Sequence, residues 1–80
     1  MHNQDPLTPL LKVIGEKLRQ QRTTRNEKLL TIERALGISH GTISKIENGR
    51  YNCLTLMMLT KISGYYQVEV SELLTNAQKP

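Results

Sequence analysis

The chain has 80 residues, of which 38% are hydrophobic, with three Tyr but no Trp or Phe. This length fits one small domain with a modest aliphatic core. A single Cys, Cys53, excludes an internal disulfide and a thiol-pair metal site, and no apolar run approaches the ~20 residues of a membrane helix. We therefore expect a cytoplasmic protein without a metal, a cofactor or a membrane partner.

The positive charge is concentrated in one half of the chain. Nine Lys or Arg stand against four Glu between positions 10 and 50, whereas positions 51–80 carry two of each sign. A basic half favours a polyanion-binding face, but a soluble domain that happens to be basic explains the charge equally well.

The first predicted helix begins close to Pro9. Thr8 followed by Pro9 is typical of an N-cap with Pro at the first helical position. Apolar residues then recur at helical spacing, namely Leu10, Leu11, Ile14 and Leu18. We predict a helix from about Pro9 to Arg22 or Thr23, preceded by a flexible end over residues 1–8.

Two short helices with a tight turn between them are predicted next. The polar segment TTRNEK contains the turn that leads into the first, and Gly37 stops it in the left-handed conformation. Ser39 is a typical N-cap for the second, which Gly49 ends. The apolar positions of these two helices are Leu29, Ile32, Leu36, Ile43 and Ile46.

A fourth helix and a short fifth helix complete the predicted domain. Thr55 is a typical N-cap for the fourth, and VSELL forms the fifth. Residues 76–80 are predicted to be a flexible tail. The sequence thus predicts an all-α fold, a compact bundle of about five short helices over residues 9–75.

Two short helices joined by a tight turn with Gly form the helix-turn-helix pattern, whose second helix enters the DNA major groove. The run LGISHGTISKIENG resembles the second and third helices of the phage-repressor and Cro-like family, also called the Xre-type helix-turn-helix family. IGEKLRQQR is similar to its first helix, TLMMLTKI to its fourth, and YYQVEVSELL to the turn and fifth helix.

The resemblance covers roughly residues 14–74 and implies a lambda-repressor-like DNA-binding domain. It further implies a sequence-specific regulator of transcription that binds double-stranded DNA. Members of the family are mostly repressors and usually act as homodimers on two-fold symmetric operators.

Base readout is assigned to the outward face of the third helix, over about residues 39–48. With Ile43 and Ile46 inward, a rotation of about 100° per residue turns Lys45 away from the core. The resemblance places base contacts at the first two residues of this helix and at Lys45, and the predicted readers are His40, Gly41, Thr42, Ser44 and Lys45. Lys45 is the best candidate because Lys can donate to guanine, whereas Gly41 can only permit close backbone approach.

Phosphate contacts are assigned to polar residues near the ends of the second and third helices. By the resemblance these are Lys28, Asn48, Arg50, Tyr51 and Asn52, with Arg25 a weaker candidate. Cations, hydroxyls and amides are the usual phosphate partners, and a solvated surface role is the less favoured alternative for each of these side chains.

The remaining assignments by resemblance concern structure. Arg22 is expected to pair with a half-buried Glu47 and so to tie the first helix to the reading helix. Leu29 stands where the family usually has a phosphate-contacting Gln, and Glu33 stands where it usually has Ala. A carboxylate at a close helix crossing must reach solvent or a cation such as Arg34 or Arg22.

An enzyme and a protein-interaction module are the alternatives to DNA binding. Ser39 and His40 are adjacent on a helix and point in different directions, so they do not favour an enzyme. A protein-interaction module or antitoxin-like partner with the same fold is the stronger alternative, because the apolar residues near the C-terminus exceed what a small core needs. The candidates for a homodimer interface are Tyr65, Tyr66, Val68, Val70 and Leu74, although packing of the last two helices explains them equally well.

Overall fold

A computed structural model describes residues 7–75, and within this range the chain forms five α-helices and no strand. The helices are α1 (Leu7–Thr24), α2 (Leu29–Leu36), α3 (His40–Glu47), α4 (Leu56–Tyr66) and α5 (Val70–Leu74). The predicted all-α fold is confirmed. The predicted flexible ends lie largely outside the described residues.

The start of α1 differs from the prediction. The helix already includes Leu7, so Thr8 lies within its first turn and is not its N-cap. Pro9 is accommodated there because the first N–H groups of a helix have no intrahelical acceptor to lose.

Three of the predicted helix boundaries are set by local hydrogen bonds. Gly37 adopts φ 73° after α2, and its N–H donates to the Glu33 carbonyl at 2.8 Å. The Ser39 hydroxyl accepts from the Thr42 N–H at 3.2 Å and caps α3. Thr55 caps α4 in the same way, by accepting from the Met58 N–H at 3.1 Å.

The helices enclose one aliphatic core. α1 packs against α3 and α5, α2 packs against α3 and α4, and α4 packs against α5. The buried cluster consists of Ile14, Leu18, Ile32, Ile38, Ile43, Ile46, Leu59, Ile62, Tyr66 and Leu73. α3 is therefore held from two sides, by α1 and by α2. None of the helices of residues 7–75 is long and apolar enough to cross a membrane.

Candidate nucleic-acid interface

The outer face of α3 is open along its whole length. Ile43, Ile46 and Glu47 turn inward and are buried, whereas His40, Gly41 and Lys45 are exposed. The other two predicted readers, Thr42 and Ser44, are half-buried at the edges of this face. Residues three and four apart are neighbours on a helix, so the structure brings the predicted readers together on one surface.

Gly41 lies at an exposed position on this surface. A Cβ atom added there would meet no heavy atom within 4 Å. Packing within the chain therefore does not require glycine at this position, and the bare backbone leaves room for an approaching molecule.

Three cations predicted to contact DNA are not neutralised within residues 7–75. Lys45 on α3, Lys28 before α2 and Arg50 after α3 are exposed. Over residues 7–75, none of the three forms an ion pair or donates a side-chain hydrogen bond to the protein. They are available to an anion such as phosphate.

The loop after α3 presents the other predicted phosphate contacts unequally. Asn52 is exposed, whereas Tyr51 is half-buried and packs against the core. Tyr51 therefore has its ring committed to packing, and only part of the side chain faces solvent.

Asn48, the C-cap of α3, is partly committed within the protein. Its Oδ1 accepts from Arg19 Nη2 at 2.6 Å, and its Nδ2 donates to the Ser44 carbonyl at 2.9 Å. A second N–H on Nδ2 is left for a phosphate. Arg19 has no place among the sequence-predicted residues, because a single exposed Arg on a helix carries no signal of its partner.

Arg25, the weaker phosphate candidate, is turned towards the tyrosines of α4. Its guanidinium lies 5.0 Å from the ring centre of Tyr66 and 5.6 Å from that of Tyr65, and Nη2 donates to the Tyr66 carbonyl at 3.3 Å. These contacts tie the α1–α2 turn to the end of α4. We assign Arg25 to structure rather than to phosphate binding.

Arg22 and Glu47 form the expected ion pair, in a two-pronged arrangement. Arg22 Nε donates to Glu47 Oε2 at 2.7 Å, and Nη2 donates to Oε1 at 2.9 Å. Hydrogen bonding to Glu47 raises the pKa of Arg22 above its ordinary value. Glu47 is 5% exposed, which makes it fully buried rather than half-buried as predicted. The pair fixes α3 to α1, and Arg22 also reaches the Glu27 carbonyl at 2.9 Å.

Gly15 provides the close contact between α1 and α3. A Cβ atom there would lie 2.4 Å from the Ile46 carbonyl oxygen and 2.5 Å from that of Glu47, far inside van der Waals contact. Gly15 is not among the residues predicted from the sequence. The available signal was a glycine in the middle of a strongly periodic helix, which usually has a packing reason.

Glu33 was expected to reach solvent or a cation such as Arg34 or Arg22; its side chain is 38% exposed, and its partner is His40. Its Oε1 accepts from the His40 backbone N–H at 2.8 Å and lies 2.7 Å from His40 Nδ1. The hydrogen bond from the His40 side chain is the main cause that lowers the pKa of Glu33, followed by the one from the His40 backbone. The carboxylate lies beside the α2–α3 turn, where it accepts from the first backbone N–H of α3. Leu29, for its part, packs against the core.

A family model described as Helix-turn-helix matches residues 17–73. The chain belongs to the helix-turn-helix family. It is similar in structure to the restriction-modification controller protein C.AhdI from Aeromonas hydrophila, with 25% identity and a TM-score of 0.71, over 79% of this chain and 94% of that one. It is also similar to the DNA-binding domain of BldD, with 27% identity and a TM-score of 0.72, over 85% of this chain and 97% of that one.

These neighbours identify the helix-turn-helix domain as one of the lambda-repressor-like, Xre and Cro type. Neither neighbour's name describes an enzyme. No protein of curated function matches the sequence significantly.

The candidates for a homodimer interface of this helix-turn-helix protein differ in their exposure. Tyr66 is 4% exposed and lies in the core, where burial raises its pKa above the ordinary range, so it is removed from the candidate surface. Tyr65, Val68 and Val70 are half-buried, and Leu74 is exposed. Tyr66 was included because its place on an amphipathic helix does not distinguish the centre of a core from its edge.

Proposed function

We propose that the chain is a sequence-specific regulator of transcription that binds double-stranded DNA with α3 in the major groove. The observation that carries the proposal is the outer face of α3, which is exposed and polar and carries Lys45, a cation without an ion pair among residues 7–75. Lys28 before α2 and Arg50 after α3 are likewise exposed and form no ion pair within those residues. A helix of this kind fits the width of the major groove. Family membership and the regulatory and DNA-binding descriptions of the two structural neighbours support the same function.

Base readout belongs in this proposal to His40, Gly41, Thr42, Ser44 and Lys45. Lys45 donates to the O6 and N7 acceptors of a guanine, and the hydroxyls of Thr42 and Ser44 make single hydrogen bonds. Gly41 allows the α3 backbone to approach the base pairs closely. Because the pairing of Arg22 with Glu47 and the contact at Gly15 hold α3 against α1, these side chains meet DNA from a rigid support.

Phosphate contacts hold the same helix in register along the groove. The proposed residues are Lys28, Asn48, Arg50, Tyr51 and Asn52, which lie before α2 and after α3. Each neutralised phosphate releases counterions, so binding weakens steeply as the salt concentration rises.

The chain acts in this proposal as a homodimeric repressor on a two-fold symmetric operator. The dimer surface comprises Tyr65, Val68, Val70 and Leu74. Two copies of α3 separated by ~34 Å match successive major grooves on one side of the duplex. A dimer seated on a promoter blocks access of the polymerase. Sedimentation with and without a selected duplex tests this, and a monomer in both states contradicts it.

The direct test of DNA readout is a selection from random duplexes, followed by binding measurements on Lys45→Ala and Arg50→Ala. We expect Lys45→Ala to relax the preference at one base pair of each half-site, and Arg50→Ala to weaken binding to all sequences alike. Lys61→Ala is the matched control, since it removes the same charge from α4, outside the proposed contacts. If the selection returns no enriched sequence, sequence-specific binding is wrong.

A protein-interaction role is the second candidate, and the start of α4 favours it. Leu56 and Met57 are 70% and 72% exposed. Exposed apolar side chains of this size often contact partner proteins, and Met adapts to varied surfaces. If the duplex selection returns no enriched sequence, protein interaction becomes the favoured function.

A further inference from the structure

One carboxylate oxygen contacts the first residue of α3 twice. Glu33 Oε1 accepts from the backbone N–H of His40 at 2.8 Å and faces His40 Nδ1 at 2.7 Å. The backbone bond satisfies an N–H that has no acceptor within α3. The side-chain bond holds the imidazole in one orientation.

The same contact determines which ring nitrogen of His40 carries a proton. An ionised carboxylate only accepts hydrogen bonds, so the nitrogen that faces it must donate. The lowered pKa of Glu33 keeps this carboxyl group ionised at neutral pH. In the neutral ring Nδ1 therefore holds the proton, and Nε2 is left with a free lone pair.

Nε2 is the part of the ring that remains available to a ligand. The His40 side chain is 58% exposed, and within residues 7–75 no protein group hydrogen-bonds to Nε2. His40 is also the first residue of α3, and the N-terminal residues of a recognition helix are those that contact base edges.

We infer that Glu33 is a positioning residue that sets base specificity through His40, by presenting Nε2 as a hydrogen-bond acceptor in the major groove. An acceptor there pairs with the exocyclic amino group of adenine or cytosine and disfavours guanine, whose groove edge offers only acceptors. The inference rests on the proposed DNA-binding function. It differs from direct readout by Lys45, which as a donor selects the opposite kind of base edge.

The proton position is tested first, without DNA. Long-range ¹H–¹⁵N NMR spectra of the free protein at about pH 8, where histidine rings are ordinarily neutral, distinguish the two tautomers. We expect the Nδ1–H form in the unmodified chain and in Glu33→Gln, because the Gln Oε1 can accept the same two hydrogen bonds. Glu33→Ala should shift the ring towards the Nε2–H form. An Nε2–H ring in the unmodified chain overturns the inference.

Base preference is tested next, by selection from random duplexes with the unmodified chain, Glu33→Gln, Glu33→Ala and His40→Ala. His40→Ala identifies the base pair that His40 reads. On the strand that His40 contacts at that base pair, we expect the unmodified chain and Glu33→Gln to favour adenine or cytosine over guanine by about 2- to 10-fold, as for one net hydrogen bond. Glu33→Ala should lose or reverse this preference while keeping the rest of the site.

The outcomes separate the inference from the function on which it rests. A selective Glu33→Ala variant with an unchanged preference at the His40 base pair overturns the positioning role and leaves DNA binding intact. An unmodified chain that selects no sequence overturns the proposed function and the base-reading role together, whatever the NMR spectra show.

Discussion

The two faces of α3 make opposite demands on the side chains they carry. On the inner face, Gly15 of α1 touches the backbone of α3, and Glu47 is buried against Arg22. On the outer face, a Cβ added at Gly41 would meet no neighbouring side chain or helix within 4 Å. Lys45 forms no ion pair within the described residues. The inner face therefore fixes the position of α3, while the outer face is left free for a ligand.

The largest expected effect comes from removing Glu47 on the inner face. Glu47→Ala leaves the largely buried Arg22 without its partner and should lower the free energy of unfolding by about 3–5 kcal/mol. Denaturant unfolding measures the loss. Arg19→Ala is the control, since Arg19 is half-exposed and lies 3.6 Å from Glu47, and it should cost less than about 1 kcal/mol. Equal effects of the two variants would show that the buried pair is not what anchors α3.

Gly15→Ala tests the close contact on the same face. The added Cβ must push α1 and α3 apart, because the atoms it meets are backbone carbonyl oxygens and not mobile side chains. We expect a loss of about 1–3 kcal/mol in the free energy of unfolding, typical of overpacking. Gly64→Ala on α4 is the matched control, because a Cβ there meets nothing within 4 Å. It should stabilise the protein, and a stabilised Gly15→Ala variant would contradict the close contact.

Gly41→Ala makes the same change on the outer face and should change the free energy of unfolding in the opposite direction to Gly15→Ala. Since the added Cβ is unobstructed and Ala favours helix over Gly, the free energy of unfolding should rise by about 0.5–1 kcal/mol. DNA affinity should nevertheless fall, because the methyl group occupies the space for close backbone approach. Thermal unfolding and a binding titration are measured on the same sample, and unchanged affinity would remove Gly41 from the proposed contacts.

The smallest expected effect is a dependence of stability on acid pH, which Glu33 contributes at the edge between the two faces. Glu33 has a folded-state pKa below its ordinary value of 4.5, so its ionised form stabilises the fold at pH above that value. This contribution is lost as the pH falls below 4.5 and through the lowered pKa. Glu33→Gln should flatten the stability profile in that acid range. An unaltered acid profile would mean that the pairing with His40 adds no stability.

Predictions that depended on local chemistry agree with the structure. Gly37, Ser39 and Thr55 end or begin helices as expected, because a left-handed glycine or a hydroxyl N-cap acts on residues within one helical turn. Ile43 and Ile46 face the core because the apolar spacing of a helix already specifies its buried side. The start of α1 was less predictable, since Thr8 and Pro9 are compatible with more than one register of the first turn.

Predictions that depended on which helices meet were less accurate. Glu33 was expected to reach solvent or a cation such as Arg34 or Arg22, and the partner that the turn between α2 and α3 gives it, His40, was not foreseen. Tyr66 was a candidate for the dimer surface, with packing of the last two helices as the equal alternative, and the structure places it in the core. In both cases the spacing of apolar residues along one helix does not specify where the neighbouring helix packs.

The sequence alone was enough to predict the five helices, the caps at Gly37, Ser39 and Thr55 and the outward face of α3, because each depends on residues a few positions apart. The pairing of Arg22 with Glu47 was expected from the family resemblance, but the other contacts that hold α3 and the orientation of its first residue followed only from the tertiary structure. The contact of Gly15 with the end of α3, the bond between Arg19 and Asn48 and the double contact of Glu33 with His40 all join different helices. Their partners are chosen by the angles and distances at which the helices pack, and these follow from the fit of all the buried side chains together.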